Sequence, residues 1–212
     1  MKLNYAVRQL MLGLTSRSSA DYWRRRYRAG LNSGPGSYGE LARFKADVLN
    51  AFVREHSIGT VIEFGCGDGN QLALADYPRY LGLDVSGEAI DLCAKRFASD
   101  PSKSFLWYDP PRTVNLEAFV VGDLALSLDV IYHLLEDDIY DRYLQALFAS
   151  ARRFVIIYSS NSATPQAAWH VKNRVFLDDV EVRIPEFRLI RVVKNPHPEQ
   201  TFADFYMFER SA

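Results

Sequence analysis

Six residues in two short stretches carry most of the chemistry legible in this chain. In Val61-Ile62-Glu63-Phe64-Gly65-Cys66-Gly67-Asp68-Gly69-Asn70 an apolar run ends in an acid, Glu63, and Gly65, Gly67 and Gly69 follow at alternate positions. Such a turn adopts conformations and close approaches that a side chain blocks, so a ligand can rest on bare peptide. A second apolar run, Tyr80-Leu81-Gly82-Leu83, then ends in Asp84, with Val85 behind it. In an open α/β sheet, ligands lie beyond the carboxyl ends of the strands, which puts Asp84 beside the glycine turn. Its two oxygens can accept hydrogen bonds from both hydroxyls of a ribose. A plainer reading, in which Asp84 caps a helix starting near Ser86, stays open. The spacing is G-x-G-x-G and not the G-x-G-x-x-G of a dinucleotide turn, because Asn70 stands where the third glycine would fall.

With Glu63, the turn resembles the E-x-G-x-G-x-G signature of class I S-adenosylmethionine (SAM) dependent methyltransferases, and Asp84 matches that family's ribose-binding acid. The resemblance covers most of residues 38–160. It implies an α/β fold, a Rossmann-like seven-stranded mostly parallel sheet with a C-terminal antiparallel hairpin. It further implies an N-terminal helical lid over residues 1–37 and the methyltransferase domain over 38–212. SAM is the cofactor expected, held by Glu63, Gly65, Cys66, Gly67, Gly69, Asp84 and Val85. Asp109 closes the third strand in the adenine region, where Trp107 and Tyr108 either flank the ring or pack the core. Ser127 on the fourth strand completes this set, and the lid brings Trp23, Tyr27, Ser37 and Tyr38. No metal site is expected.

The fourth strand ends in Ser127-Leu128-Asp129-Val130-Ile131-Tyr132-His133-Leu134, similar to the ending of family members that act on small molecules. Its tip is expected to face the transferred methyl, which makes Asp129 and His133 the candidates nearest the acceptor. A neutral imidazole with a pKa of about 6.5 can take a hydroxyl proton, and such base catalysis contributes about 10²–10⁴-fold. Placing the acceptor in line contributes more, roughly 7–11 kcal/mol. Tyr158-Ser159-Ser160-Asn161 ends the fifth strand on the same edge, lining an acceptor pocket or forming a turn. His170, in Trp169-His170-Val171-Lys172-Asn173-Arg174, is the rival base, unless that segment is a solvated connection. Arg24 and Arg28 share a helical face and could grip a phosphate. These residues point to O-methylation of a small hydroxylated acceptor, sugar-like or phosphorylated. No N-P-P-Y tetrapeptide follows the fourth strand, which disfavours amide or nucleobase nitrogen. The alternatives are an N-methyltransferase of a small amine, a non-catalytic SAM-fold binding protein, and a nicotinamide oxidoreductase, the last disfavoured by Asn70 and by the lack of a Tyr-x-x-x-Lys pair.

Composition bounds the partners. The 212 residues are 48% hydrophobic and 13% aromatic, those of one folded domain. A net charge of −1 exerts no whole-molecule pull on nucleic acid or anionic membrane. The charge is uneven: residues 1–30 hold Lys2, Arg8, Arg17, Arg24, Arg25, Arg26 and Arg28 against Asp21, so 7 − 1 = +6, and the remainder carries −7. Cys66 and Cys93 lack metal-ligand spacing, and a disulfide at Cys66 would crowd the turn, which favours a reducing compartment. Leu10-Met11-Leu12-Gly13-Leu14 is too short for a signal core or a membrane span. The expectation is a cytoplasmic protein with a small-molecule acceptor, no nucleic-acid partner and no integral membrane segment; oligomeric state is not legible.

The elements that must position these residues follow from periodicity. Helices are read over Ser19–Arg28, over 38–56 with Leu41, Phe44, Val48, Leu49 and Phe52 at helical spacing, and over 137–152. In the last, acids at the start and Arg152 and Arg153 at the end suit the helix dipole. Strands are read at 60–65, 80–84, 104–108, 123–129, 153–159, 187–194 and 202–209.

Overall fold

Short apolar runs bounded by turn residues become seven strands: β1 (Val61–Phe64), β2 (Tyr80–Asp84), β3 (Lys103–Trp107), β4 (Gly122–Leu128), β5 (Ala151–Ser159), β6 (Phe187–Val193) and β7 (Asp204–Arg210). The computed structural model describes residues 15–110, 116, 119–164 and 170–211. Lys2, Arg8, the Leu10–Leu14 stretch and Trp169 lie outside them. The strands form one sheet in the order β3-β2-β1-β4-β5-β7-β6. Neighbours from β3 to β5 pair parallel, and β7 runs antiparallel between β5 and β6. The expected sheet and C-terminal hairpin are both present. β1 and β4 are covered on both faces, which is why they read as near-continuous apolar runs. Strand order reverses where β1 meets β4, the point at which such sheets open a crevice.

Five helices cover the sheet within the described residues: α1 (Ser19–Arg28), α2 (Gly39–Glu55), α3 (Gly87–Arg96), α4 (Asp137–Ala149) and α5 (Phe176–Arg183). Leu49, Phe52 and Val53 of α2 and Cys93 of α3 pack on the face that carries Val61, Leu124 and Leu126. Tyr143, Leu144, Leu147 and Phe148 of α4, with Phe176 and Val180 of α5, pack on the face that carries Phe64, Ala125 and Val155. The period-2 alternation of β4 thus feeds two cores. α3 is capped by Ser86, whose hydroxyl accepts from the Ala89 N–H.

Three expectations change. α4 stops at Ala149, and Arg152 and Arg153 belong to β5 as exposed residues, so the last turn of that helix holds no cation. Helix α5 is an element that the periodicity reading leaves out; its signal is the buried pair Phe176 and Val180 one turn apart, with Asp178 and Asp179 in the first turn. The buried stripe of α2 is Leu41, Ala42, Lys45, Ala46, Leu49, Phe52 and Val53, which puts a lysine in the core register. No helix of the described residues is long and apolar enough to cross a membrane.

Candidate active site

The residues after β1 and β2 meet at the carboxyl edge of the sheet. Gly65, Gly67 and Gly69 all have positive φ, at 85°, 59° and 73°, which is why no other residue type suits these positions. The Gly67 N–H donates to Asp84 Oδ2 at 3.0 Å and the Ser86 N–H donates to Asp84 Oδ1 at 2.8 Å. Asp84 therefore organises the turn from inside and keeps a lone pair on each oxygen for a ligand. Burial pushes its carboxyl up to about 6, against the pull of these N–H donors. Glu63 is buried beneath, accepts from the Tyr80 hydroxyl at 2.6 Å, and is raised by burial to about 7.

Helix α1 lies across this edge. Arg24 donates to the Val85 carbonyl and to Asp109, Arg28 to Glu88, and Ser19 to Glu136, so the helix is clasped on both rims. Tyr27 and Ser33 hydroxyls meet at 2.8 Å, and Asp68 accepts from the Ser33 N–H and the Tyr38 hydroxyl. Between α1 and the turn lies a cleft that opens to solvent. Its lining includes Trp23, Tyr27, Ser33, Ser37, Glu63, Gly65, Cys66, Gly67, Asp84, Val85, Tyr108, Asp129 and His133.

The tip of β4 forms the other wall. Asp129 has φ of +60°, a left-handed conformation that Asp tolerates better than most residues. Lys45 Nζ donates to its Oδ2 at 2.6 Å and the Tyr132 hydroxyl to its Oδ1 at 2.7 Å. His133 Nδ1 lies 2.9 Å from the His170 carbonyl. A carbonyl only accepts, so Nδ1 carries the proton and Nε2 the lone pair. Burial lowers this imidazole to about 4 and keeps it neutral. Tyr22, His170 and His133 stack in sequence, with Trp23 edge-on to His133 at 5.0 Å.

Most residues expected at the site do line the cleft, but several stand elsewhere. Gly69 faces α3, where a Cβ would press on Phe97 and Cys93, so it serves close packing. Asp109 anchors Arg24 on the rim. Ser127 is buried under the floor, accepting from the Tyr143 hydroxyl at 2.7 Å. His170 stands behind His133. Trp107 is 51% exposed and donates to the Val85 carbonyl, whereas Tyr108 reaches the cleft. The arginines of α1 are spoken for: besides Arg24 and Arg28, Arg26 is buried and donates to the Asn32 carbonyl. Lys172 and Arg174 both bind Asp137, drawing its carboxyl down to about 2, so neither cation is left for an anionic acceptor. Among the described residues no group of His, Cys, Asp and Glu gathers into a metal site. Sequence reasoning missed Lys45 and Gln71, both of which line the cleft; a lysine on an apolar helical stripe was the available signal for the first.

Comparison with known proteins identifies the architecture. No family model matches the sequence, and no curated protein is similar to it. Solved structures do match in three dimensions. The N-methyltransferase NodS from Bradyrhizobium japonicum WM9, in complex with S-adenosylhomocysteine (SAH), superposes with a TM-score of 0.71 at 15% identity, covering 92% of this chain and 100% of that one. Magnesium protoporphyrin IX methyltransferase from Synechocystis PCC 6803, with bound SAM, gives 0.65 at 15% identity, covering 93% and 99%. The methyltransferase domain of bacterial CtHen1 gives 0.64 at 19%, covering 82% and 100%. The chain has the class I SAM-dependent methyltransferase fold.

Proposed function

We propose that this protein is a SAM-dependent methyltransferase that methylates oxygen on a small, neutral, hydroxylated acceptor. One observation carries the reading: a glycine turn with its buried acid shares a cleft with the Asp129–His133 tip. The residues fit the cofactor. Asp84 retains acceptor capacity for two ribose hydroxyls, the glycine backbone leaves a bare surface, and Tyr108 and Pro110 supply an apolar wall. When bound, the cofactor supplies an electrophilic methyl group on a sulfonium. α1 acts as the lid and keeps water from the cleft. A phosphorylated acceptor finds no grip on α1, because Arg24 and Arg28 are paired within the protein. The two buried thiols, Cys66 and Cys93, suit a cytoplasmic setting.

In this reading Asp129 accepts the proton of the acceptor hydroxyl, its remaining lone pairs being set by Lys45 and Tyr132. His133, neutral and weakly basic, orients that hydroxyl. Asp129→Asn should therefore lower turnover about 10²–10⁴-fold, and His133→Ala only about 2–10-fold, the size of a neutral hydrogen bond. Turnover should show no step at the ordinary imidazole value of about 6.5. The experiment is methyl transfer from isotopically labelled SAM to a panel of hydroxylated compounds and amines, followed by pH profiles on the acceptor found. A step near the ordinary value that vanishes in His133→Ala would restore the histidine as base. The likeness to NodS supports N-methylation as a second reading, and methylated amines alone would select it.

Cofactor affinity should also depend on pH through Asp84. Ribose hydroxyls donate to the ionised carboxylate, so binding favours loss of its proton and lowers its pKa from about 6. SAH affinity should rise as pH increases toward about 6 and level off above it. Calorimetry across that range checks this; affinity that falls with rising pH contradicts the role given to Asp84.

A further inference from the structure

We propose that Lys45 and Gln71 seat the amino-acid end of the cofactor, Lys45 pairing with its carboxylate and Gln71 Oε1 accepting from its ammonium. This rests on the SAM reading above and gives it two residues that no motif supplies. Lys45 is 1% exposed on the core-facing stripe of α2. Lysine is almost never fully buried unless paired, and a methionine of similar length would fill the space without removing a charge from water. Its Nζ donates to Asp129 and stands 5.3 Å from the centre of the Tyr158 ring. One carboxylate leaves donor capacity on the ammonium. Among the described lining residues it is the one lysine or arginine, set against the carboxyls of Glu63, Asp84 and Asp129. The single anionic group of SAM has no other cationic partner there.

Gln71 supplies the second, independent observation. It is 7% exposed, lines the cleft, and lies two residues past Gly69. Its Nε2 donates to the Ala42 carbonyl of α2 at 3.0 Å, which fixes which end of the amide is the oxygen. That Oε1 has no hydrogen-bond donor among the described residues. Buried acceptors ordinarily find donors, and an ammonium is one. Ala42 and Lys45 are three residues apart on one helical face, and Gln71 and Lys45 line the same cleft as the glycine turn. A zwitterion laid against these two residues matches both ends: carboxylate to Lys45, ammonium to Gln71 Oε1. A ligand lacking the amino-acid group uses neither residue.

The test compares two probes on the whole protein by calorimetry: SAH, which carries the amino-acid end, and 5′-methylthioadenosine, which does not. Lys45→Met and Gln71→Leu should each weaken SAH about 10–150-fold, the range for hydrogen bonds to charged groups. Each should leave methylthioadenosine within about threefold, which also shows that the cleft is still formed. The difference between probes is the readout. Equal losses for both would make Lys45 and Gln71 supports of the fold and overturn the assignment. Unchanged SAH affinity in both variants would overturn it as well. A wild-type protein that binds neither probe would remove the cofactor reading itself, a result distinct from either of these.

Discussion

Asp84→Ala should weaken SAM and SAH binding about 10–150-fold, the loss expected for 1.5–3 kcal/mol of charge-assisted hydrogen bonding. Two effects add. The ribose hydroxyls lose their acceptors, and the Gly67 and Ser86 N–H groups lose the oxygens that hold the turn in shape. Asp84→Asn separates them, since an amide of equal size keeps one acceptor for the turn while its nitrogen opposes a donor. The carboxyl binds its proton more tightly in the fold, at about 6, than in the unfolded chain, at 3.8. This group's contribution to stability therefore falls as pH rises through that interval. The alanine variant should lose that pH dependence, and its melting temperature should drop less at pH 8 than the missing bonds alone suggest. Calorimetric titration with SAH, alongside thermal melts at two pH values, is the measurement. Wild-type affinity in a folded Asp84→Ala protein would end the ribose assignment.

Gly67→Val should abolish detectable cofactor binding. The residue has φ of +59°, a conformation that costs a β-branched side chain on the order of 1–3 kcal/mol. A side chain on this turn intrudes where the ligand meets bare peptide. Its Cβ also meets Ser33 Oγ and Tyr27 Oη, so it pushes α1 and the following turn off the cleft. Gly67→Ala should show a milder form of both defects, with weaker SAH binding and a lower melting temperature. If the valine variant does not fold, the alanine variant carries the test. Normal SAH binding by Gly67→Val in a folded protein would mean that the cofactor lies elsewhere.

The strand-to-turn chemistry is legible in the sequence because it is local. A run such as Val61–Phe64 declares a buried strand, alternate glycines declare positive φ, and an acid closing the next strand is forced to the same edge by a parallel sheet. From these follow the order of elements and the placement of Glu63, Gly67 and Asp84 in one cleft. What periodicity does not show is which face a helix turns inward once neighbours compete for it. Helical spacing runs the α2 stripe through Phe44 and Val48, yet tertiary packing turns Lys45 inward to meet Asp129, a residue distant in sequence. The same holds for His170, carried behind His133 by the segment after β5, and for Asp109, drawn to the rim by Arg24. Helix α5 is hidden because a short amphipathic segment gains its stability from packing more than from its own propensity. Motifs bound to one turn of backbone are written in the sequence. Partnerships between charges on separate elements are decided by the fold, because burial makes pairing obligatory and only the fold determines which groups are buried together.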